Sequence, residues 1–110
     1  MTTLLSTPHV SLTAQSCTLG VQGDLNVNAA AEVAAAGVKW LESAHLTEVA
    51  LNFAEVSKAS SAAISVLFEW LRACHSLGIV VTSIALSTPL ERLTSLAELD
   101  ALIDSPNAEA

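Results

Sequence analysis

Residues 46–77 narrow the choice of fold more than any other stretch. A strand-like run, LTEVALNF, passes through a short polar connection, AEVSKA, into a helical run, SSAAISVLFEWLRACHSL. Val49, Leu51 and Phe53 alternate with polar or small residues, the period of a strand with one buried face, whereas the apolar residues after Ser60 recur at helical spacing. The chain therefore carries a strand into a helix and delivers Ser60 and Ser61 to the helix start. The first backbone N–H groups of a helix lack intrahelical partners and carry partial positive charge, which suits a hydroxyl cap, a phosphate or a partner's carboxylate. Two adjacent serines let one cap the helix while the other points outward. Capping alone is the commonest reason for a serine at such a place.

The helix has two kinds of face. Ala63, Val66, Leu67, Trp70, Leu71, Cys74 and Leu77 make a broad inward stripe, whereas Ser61, Ser65, Phe68 and Arg72 follow one another at helical spacing on the other side. Phe68 is then either the centre of a docking surface or a side chain covered by the neighbouring helix. Ser60, Ser61, Ala62, Ser65, Phe68 and Arg72 are the candidate partner-binding residues. Asp24 and Glu55, at loop ends, are candidate contacts on the same edge.

The remaining segments fill in a sheet. Residues 1–8 read as a polar lead-in ending in Pro8. Val10, Leu12 and Ala14, then Cys17, Leu19 and Val21, alternate with their neighbours around a Gln15-Ser16 turn and predict a hairpin, with Gly20 at a bulge and Gly23 at the strand exit. A helix capped by Asn26 or Asn28 runs through Ser43, with Val33, Gly37, Trp40, Leu41 and Ala44 on one face. Gly37 suggests close packing against the sheet, and Trp40 on the apolar stripe reads as core. Gly78 ends the central helix, residues 79–85 are β-branched with little alternation, as in a strand covered on both faces, and Thr88-Pro89-Leu90-Glu91 is a capping box with Leu90, Leu93, Leu96 and Ala97 on the inner face that follows. The order β-β-α-β-α-β-α implies a mixed sheet carrying helices.

Composition limits the function classes. A chain of 110 residues, 52% hydrophobic, is one domain's worth and buries a core without staples. Its net charge is −7, with Lys39, Lys58, Arg72 and Arg92 as its only cations, so no basic patch awaits nucleic acid or anionic lipid. Neither a signal peptide nor a run of about twenty apolar residues is present, so a cytoplasmic location without direct membrane insertion is expected. Cys17 and Cys74 lack CxxC spacing and read as reduced, buried thiols rather than a disulfide. His9, His45 and His75 have no metal-ligand spacing, so no metal is assigned. Catalysis would need a nucleophile with a base or paired carboxylates in a cleft, and Ser61 has no histidine near it in sequence. Gly20-Val21-Gln22-Gly23-Asp24 is too short for a nucleotide loop and begins inside a strand. No catalytic residue, cofactor or enzyme activity is expected.

Several motifs together resemble one family. Leu51-Asn52-Phe53-Ala54-Glu55-Val56 followed by Ser60-Ser61-Ala62-Ala63-Ile64 is similar to the STAS-domain pattern, where a strand ending L-D-L-S-x-V leads to D-S-S-G-L or D-S/T-A-G-L at a helix start. Gly23-Asp24-Leu25 resembles the family's G-E/D-L after its second strand, and residues 93–102 resemble its closing L-x-x-L-A-x-L-D-x-L. The resemblance spans residues 9–104 and implies an α/β fold, a mixed sheet of about four strands with helices packed on it. A flexible tail at 105–110 and a break in the last helix near Leu99-Asp100 are also expected.

The resemblance places Ser61 on the family's regulatory Ser/Thr, which is phosphorylated in anti-sigma factor antagonists. The equivalent hydroxyl is important in the MlaB-like subunit of the bacterial phospholipid-transporting ABC complex. Ser60 replaces the acidic residue before that position and Ala63 the glycine two after it, departures that bear on kinase recognition more than on fold. Two partners follow from the resemblance. The first is the ATPase of a phospholipid-transport ABC complex, with the chain an accessory subunit peripheral to the inner membrane; the second is a kinase-type anti-sigma factor controlled through Ser61. A stressosome subunit would carry an additional N-terminal domain.

Overall fold

The computed structural model describes residues 2–58 and 60–96, apart from the side chain of Leu96. The expected break near Leu99-Asp100, the 105–110 tail and the inner-face position of Ala97 lie outside the described residues. In chain order the elements are β1 (Thr2–Ser6), β2 (Val10–Gln15), β3 (Thr18–Gly23), α1 (Val27–Ser43), β4 (Glu48–Val56), α2 (Ser61–Leu77), β5 (Val80–Leu86) and α3 (Thr88–Leu96). The strands lie side by side in the order β1-β2-β3-β4-β5; β1, β2 and β3 pair antiparallel, whereas β3, β4 and β5 run parallel. Two crossovers that step the same way across a sheet, each right-handed, place their helices on one face. α1 and α2 accordingly pack against each other over Leu12, Leu19, Val21, Val49, Leu51 and Phe53, all buried.

The mixed α/β sheet matches the expected architecture, but with five strands where about four were read. The additional strand is β1, in the presumed lead-in. Its register with β2 shifts between Thr3 and Leu5, so Leu4 and Leu5 are both half-buried and the strand shows no alternation in the sequence. The same cause lengthens β4 beyond the expected end at Phe53. Opposite Gly20 and Gln22 the register jumps from Asn52 to Glu55; Ala54 and Glu55 are therefore both exposed, and Val56 is buried again. The residues read as a polar connection thus begin as strand.

β5 corrects another expectation. It is an edge strand, not one covered on both faces: Val80, Thr82, Ser83 and Ala85 are exposed. An extra residue between Val81 and Ser83 breaks its alternation, which imitated double coverage.

The helices fix the core. Trp70, fully buried on α2, lies with its ring centroid 5.2 Å from that of Phe53 and donates from Nε1–H to the Ala34 carbonyl of α1 at 3.2 Å. Gly37 is where this ring enters α1, since a Cβ there would overlap the indole. Its close packing is therefore against α2 and not against the sheet. Trp40 is only half-buried, and Ala34 joins Val33, Gly37 and Leu41 on the covered face. On α2 the inward stripe is buried except for Leu77, 43% exposed in the last turn, and Ile64 is buried beside it. Gly78 closes α2 at φ 72°, a left-handed conformation that glycine adopts without penalty. At α3 the Ser87 carbonyl accepts from the Glu91 N–H at 2.9 Å, so the cap position is Ser87, one residue before the expected Thr88. Leu90 and Thr94 are buried and Leu93 is half-buried. Cys17 and Cys74 are free thiols; Cys74 is buried as expected, whereas Cys17, in the turn between β2 and β3, is only half-buried. Burial pushes the Cys74 thiol up to about 11.

Candidate functional site

Because β3, β4 and β5 are parallel and each runs into a helix, the starts of α1, α2 and α3 all gather at the carboxyl edge of the sheet. In open α/β sheets this edge is where ligands and partners are met, because loops there are free of ladder constraints and unpaired helix N–H groups face outward. Two of its loops are tied to each other. The Ser57 N–H donates to the Gly23 carbonyl at 2.9 Å, and the Lys58 ammonium lies 3.7 Å from the Asp24 carboxylate. The Ser60 hydroxyl donates to the Leu25 carbonyl at 3.0 Å.

Ser60 is the cap of the pair. Its Oγ accepts from the Ala63 N–H at 3.1 Å while its own proton goes to Leu25, so the hydroxyl is occupied in both directions. Its backbone is extended, at φ −148° and ψ 148°, which turns the next residue onto the first helical position. That residue, Ser61, is exposed, and among the described residues its hydroxyl has no hydrogen-bond partner.

From Ser61 the outward face of α2 continues through Ser65, exposed, Phe68, half-buried, and Arg72, exposed; Ala62 is half-buried beside them. The Phe68 side chain packs against the core and yet keeps some surface. Arg72 is held on the helix by Glu69, at 3.2 Å. Asp24 and Glu55 both fall at the carboxyl ends of strands, on the edge that carries Ser61; Glu55 is exposed and Asp24 half-buried.

Asn26 caps α1, accepting from the N–H groups of Asn28 and Ala29 at 2.9 and 3.1 Å, which settles the choice between Asn26 and Asn28. The first residue of α1, Val27, is 78% exposed. It lies seven residues before buried Ala34, in phase with the covered side of α1, and is exposed as the first residue of the helix rather than by its phase. Among the described residues no cluster of His, Cys, Asp and Glu has the makings of a metal site, and no helix is long and apolar enough to cross a membrane.

A mixed sheet with two crossover helices on one face, and a capped helix start presenting a serine, defines a small α/β module of the STAS kind. The family model described as "Mlab, STAS domain" matches residues 9–104, and the chain belongs to that family. A search of curated proteins found no match. STAS domains are in general non-catalytic and mediate protein–protein interactions.

Proposed function

We propose that this protein is a non-catalytic accessory subunit of an MlaB-like phospholipid-transport ABC complex, cytoplasmic and held at the inner membrane through the transporter, and that it docks on the ATPase through the outward face of α2. The observation that carries this reading is the division of labour between the two serines. Ser60 is consumed by capping, which leaves Ser61 exposed at the helix start, in line with Ser65, Phe68 and Arg72. An aromatic with polar neighbours on a rigid helix suits the centre of an interface, where a few well-placed side chains contribute most of the affinity. The test is a pull-down of the tagged protein from its native cytosol and detergent-solubilised membranes, with mass spectrometry of the captured chains. Recovery of an ABC ATPase with its permease is expected; recovery of neither refutes the reading.

The unbonded hydroxyl of Ser61 favours a second reading, an anti-sigma factor antagonist switched by phosphorylation. A phosphate there would add about −1.5 to −2 charges beside the helix dipole, turning the face from neutral to strongly anionic. Capture of a small ATP-binding anti-sigma kinase in the same pull-down is the outcome that supports it.

A further inference from the structure

Val27 is the most exposed large apolar side chain among the described residues, and it opens α1. Single exposed valines are ordinary on protein surfaces. This one is held rigidly. Leu25, two residues before it, is 1% exposed, the Asn26 side chain fastens the two N–H groups that follow, and the Leu25 carbonyl takes the hydroxyl proton of Ser60 at the start of α2. Val27 thus stands at the seam between two helix starts, where covering it costs little further ordering.

Charge at this seam is lopsided. Lys58 is engaged by Asp24 at 3.7 Å and Arg72 by Glu69 at 3.2 Å, whereas Glu55, near the end of β4 on the same carboxyl edge of the sheet, is exposed and has no cation within 4.0 Å among the described residues. On a chain of net charge −7 the unanswered charge on this edge is negative, so a complementary surface is positive.

We propose that the docking surface extends from the outward face of α2 across the start of α1, with Val27 as its apolar anchor, and that it receives a protein surface made of an apolar pocket edged by lysine or arginine. The inference rests on the ATPase-docking reading and specifies the chemistry of that partner. Val27→Asn removes the apolar contact at a position too exposed to matter for folding, which circular dichroism checks. Val80→Asn, at a valine 52% exposed at the start of β5 on the opposite end of the sheet, is the control.

Titrated against the purified ATPase subunit of the transporter encoded in the same genome, V27N is expected to bind about tenfold more weakly. V80N should stay within about twofold of the wild type. Wild-type affinity should fall as salt is raised from about 0.05 to 0.5 M, as charge complementarity requires. V27N binding like the wild type, while Ser61→Glu weakens binding, overturns the anchor and leaves the docking reading standing. Salt-indifferent binding overturns the basic edge, and absence of wild-type binding overturns both the anchor and the reading it rests on.

Discussion

Gly37→Ala puts a methyl group where the Trp70 ring already is. Cβ at this position would overlap Cε2, Nε1 and Cζ2 of the indole. The ring has no room to retreat: it is fully buried, Phe53 lies behind it with centroids 5.2 Å apart, and Nε1–H is anchored on the Ala34 carbonyl. Three effects compete. Alanine gains roughly 1 kcal/mol over glycine in helix propensity. Forcing a methyl into a filled core costs about 1–3 kcal/mol. Shifting the indole off Ala34 leaves a buried N–H unsatisfied, at a further ~1–3 kcal/mol. The unfavourable effects win, for a net destabilisation of about 2–3 kcal/mol and a Tm lower by roughly 10 °C in a domain of this size. Urea denaturation followed by circular dichroism and tryptophan fluorescence measures it. Gly78→Ala provides the contrast, because no atom lies within 4 Å of its added Cβ and only the left-handed backbone, at φ 72°, opposes it; about 1 kcal/mol is expected. A G37A variant as stable as the wild type would refute the claim that α1 and α2 are locked through this contact.

The remaining expectations concern the two serines and the buried thiol. Ser60→Ala loses a cap and the tie to Leu25 and should destabilise by about 1–2 kcal/mol, whereas Ser61→Ala should change stability by less than about 0.5 kcal/mol; chemical denaturation distinguishes them. Cys74, raised from its usual 9.0 to about 11 by burial, favours the folded state while it is protonated. That contribution is complete below the ordinary thiol range and is lost as pH rises through about 11, because the unfolded chain ionises first. Urea titrations from neutral to alkaline pH on the wild type and Cys74→Ala check the sign: the wild type should lose more stability than the variant over that window. Alkylation of the native protein near pH 8 should modify Cys17 well before Cys74, and equal rates would contradict the burial of Cys74.

Much of the fold was legible because its strongest signals are local. The α2 stripe, the Gly78 stop, the Asn cap of α1 and the first hairpin each follow from a few neighbouring residues whose preferences agree with the final structure. The errors in the strands share one cause. Alternation reports a buried face only while the register holds, and the register shifts in β1, β4 and β5 broke it. A strand was therefore lost at Thr2–Ser6, β4 was cut short, and an edge strand at Val80–Leu86 looked doubly covered. Partners across the fold were equally invisible: nothing local shows that Gly37 exists for Trp70, or that Ser60 reaches Leu25 across thirty-five residues. At the candidate site, the sequence brought Ser60 and Ser61 to a helix start without saying which one caps. Geometry assigns the cap to Ser60. Val27 had no signal, since it is in phase with buried Ala34 and Leu41 and yet, as the first residue of α1, is left exposed.

Binding of the ATPase subunit to the wild type, Ser61→Glu and Phe68→Ala, with each variant shown to be folded by circular dichroism, tests the central claim most directly. Docking through the outward face of α2 predicts that both variants bind about tenfold or more weakly while melting within a few degrees of the wild type. Wild-type affinity in both would contradict it and move the interface elsewhere on the domain.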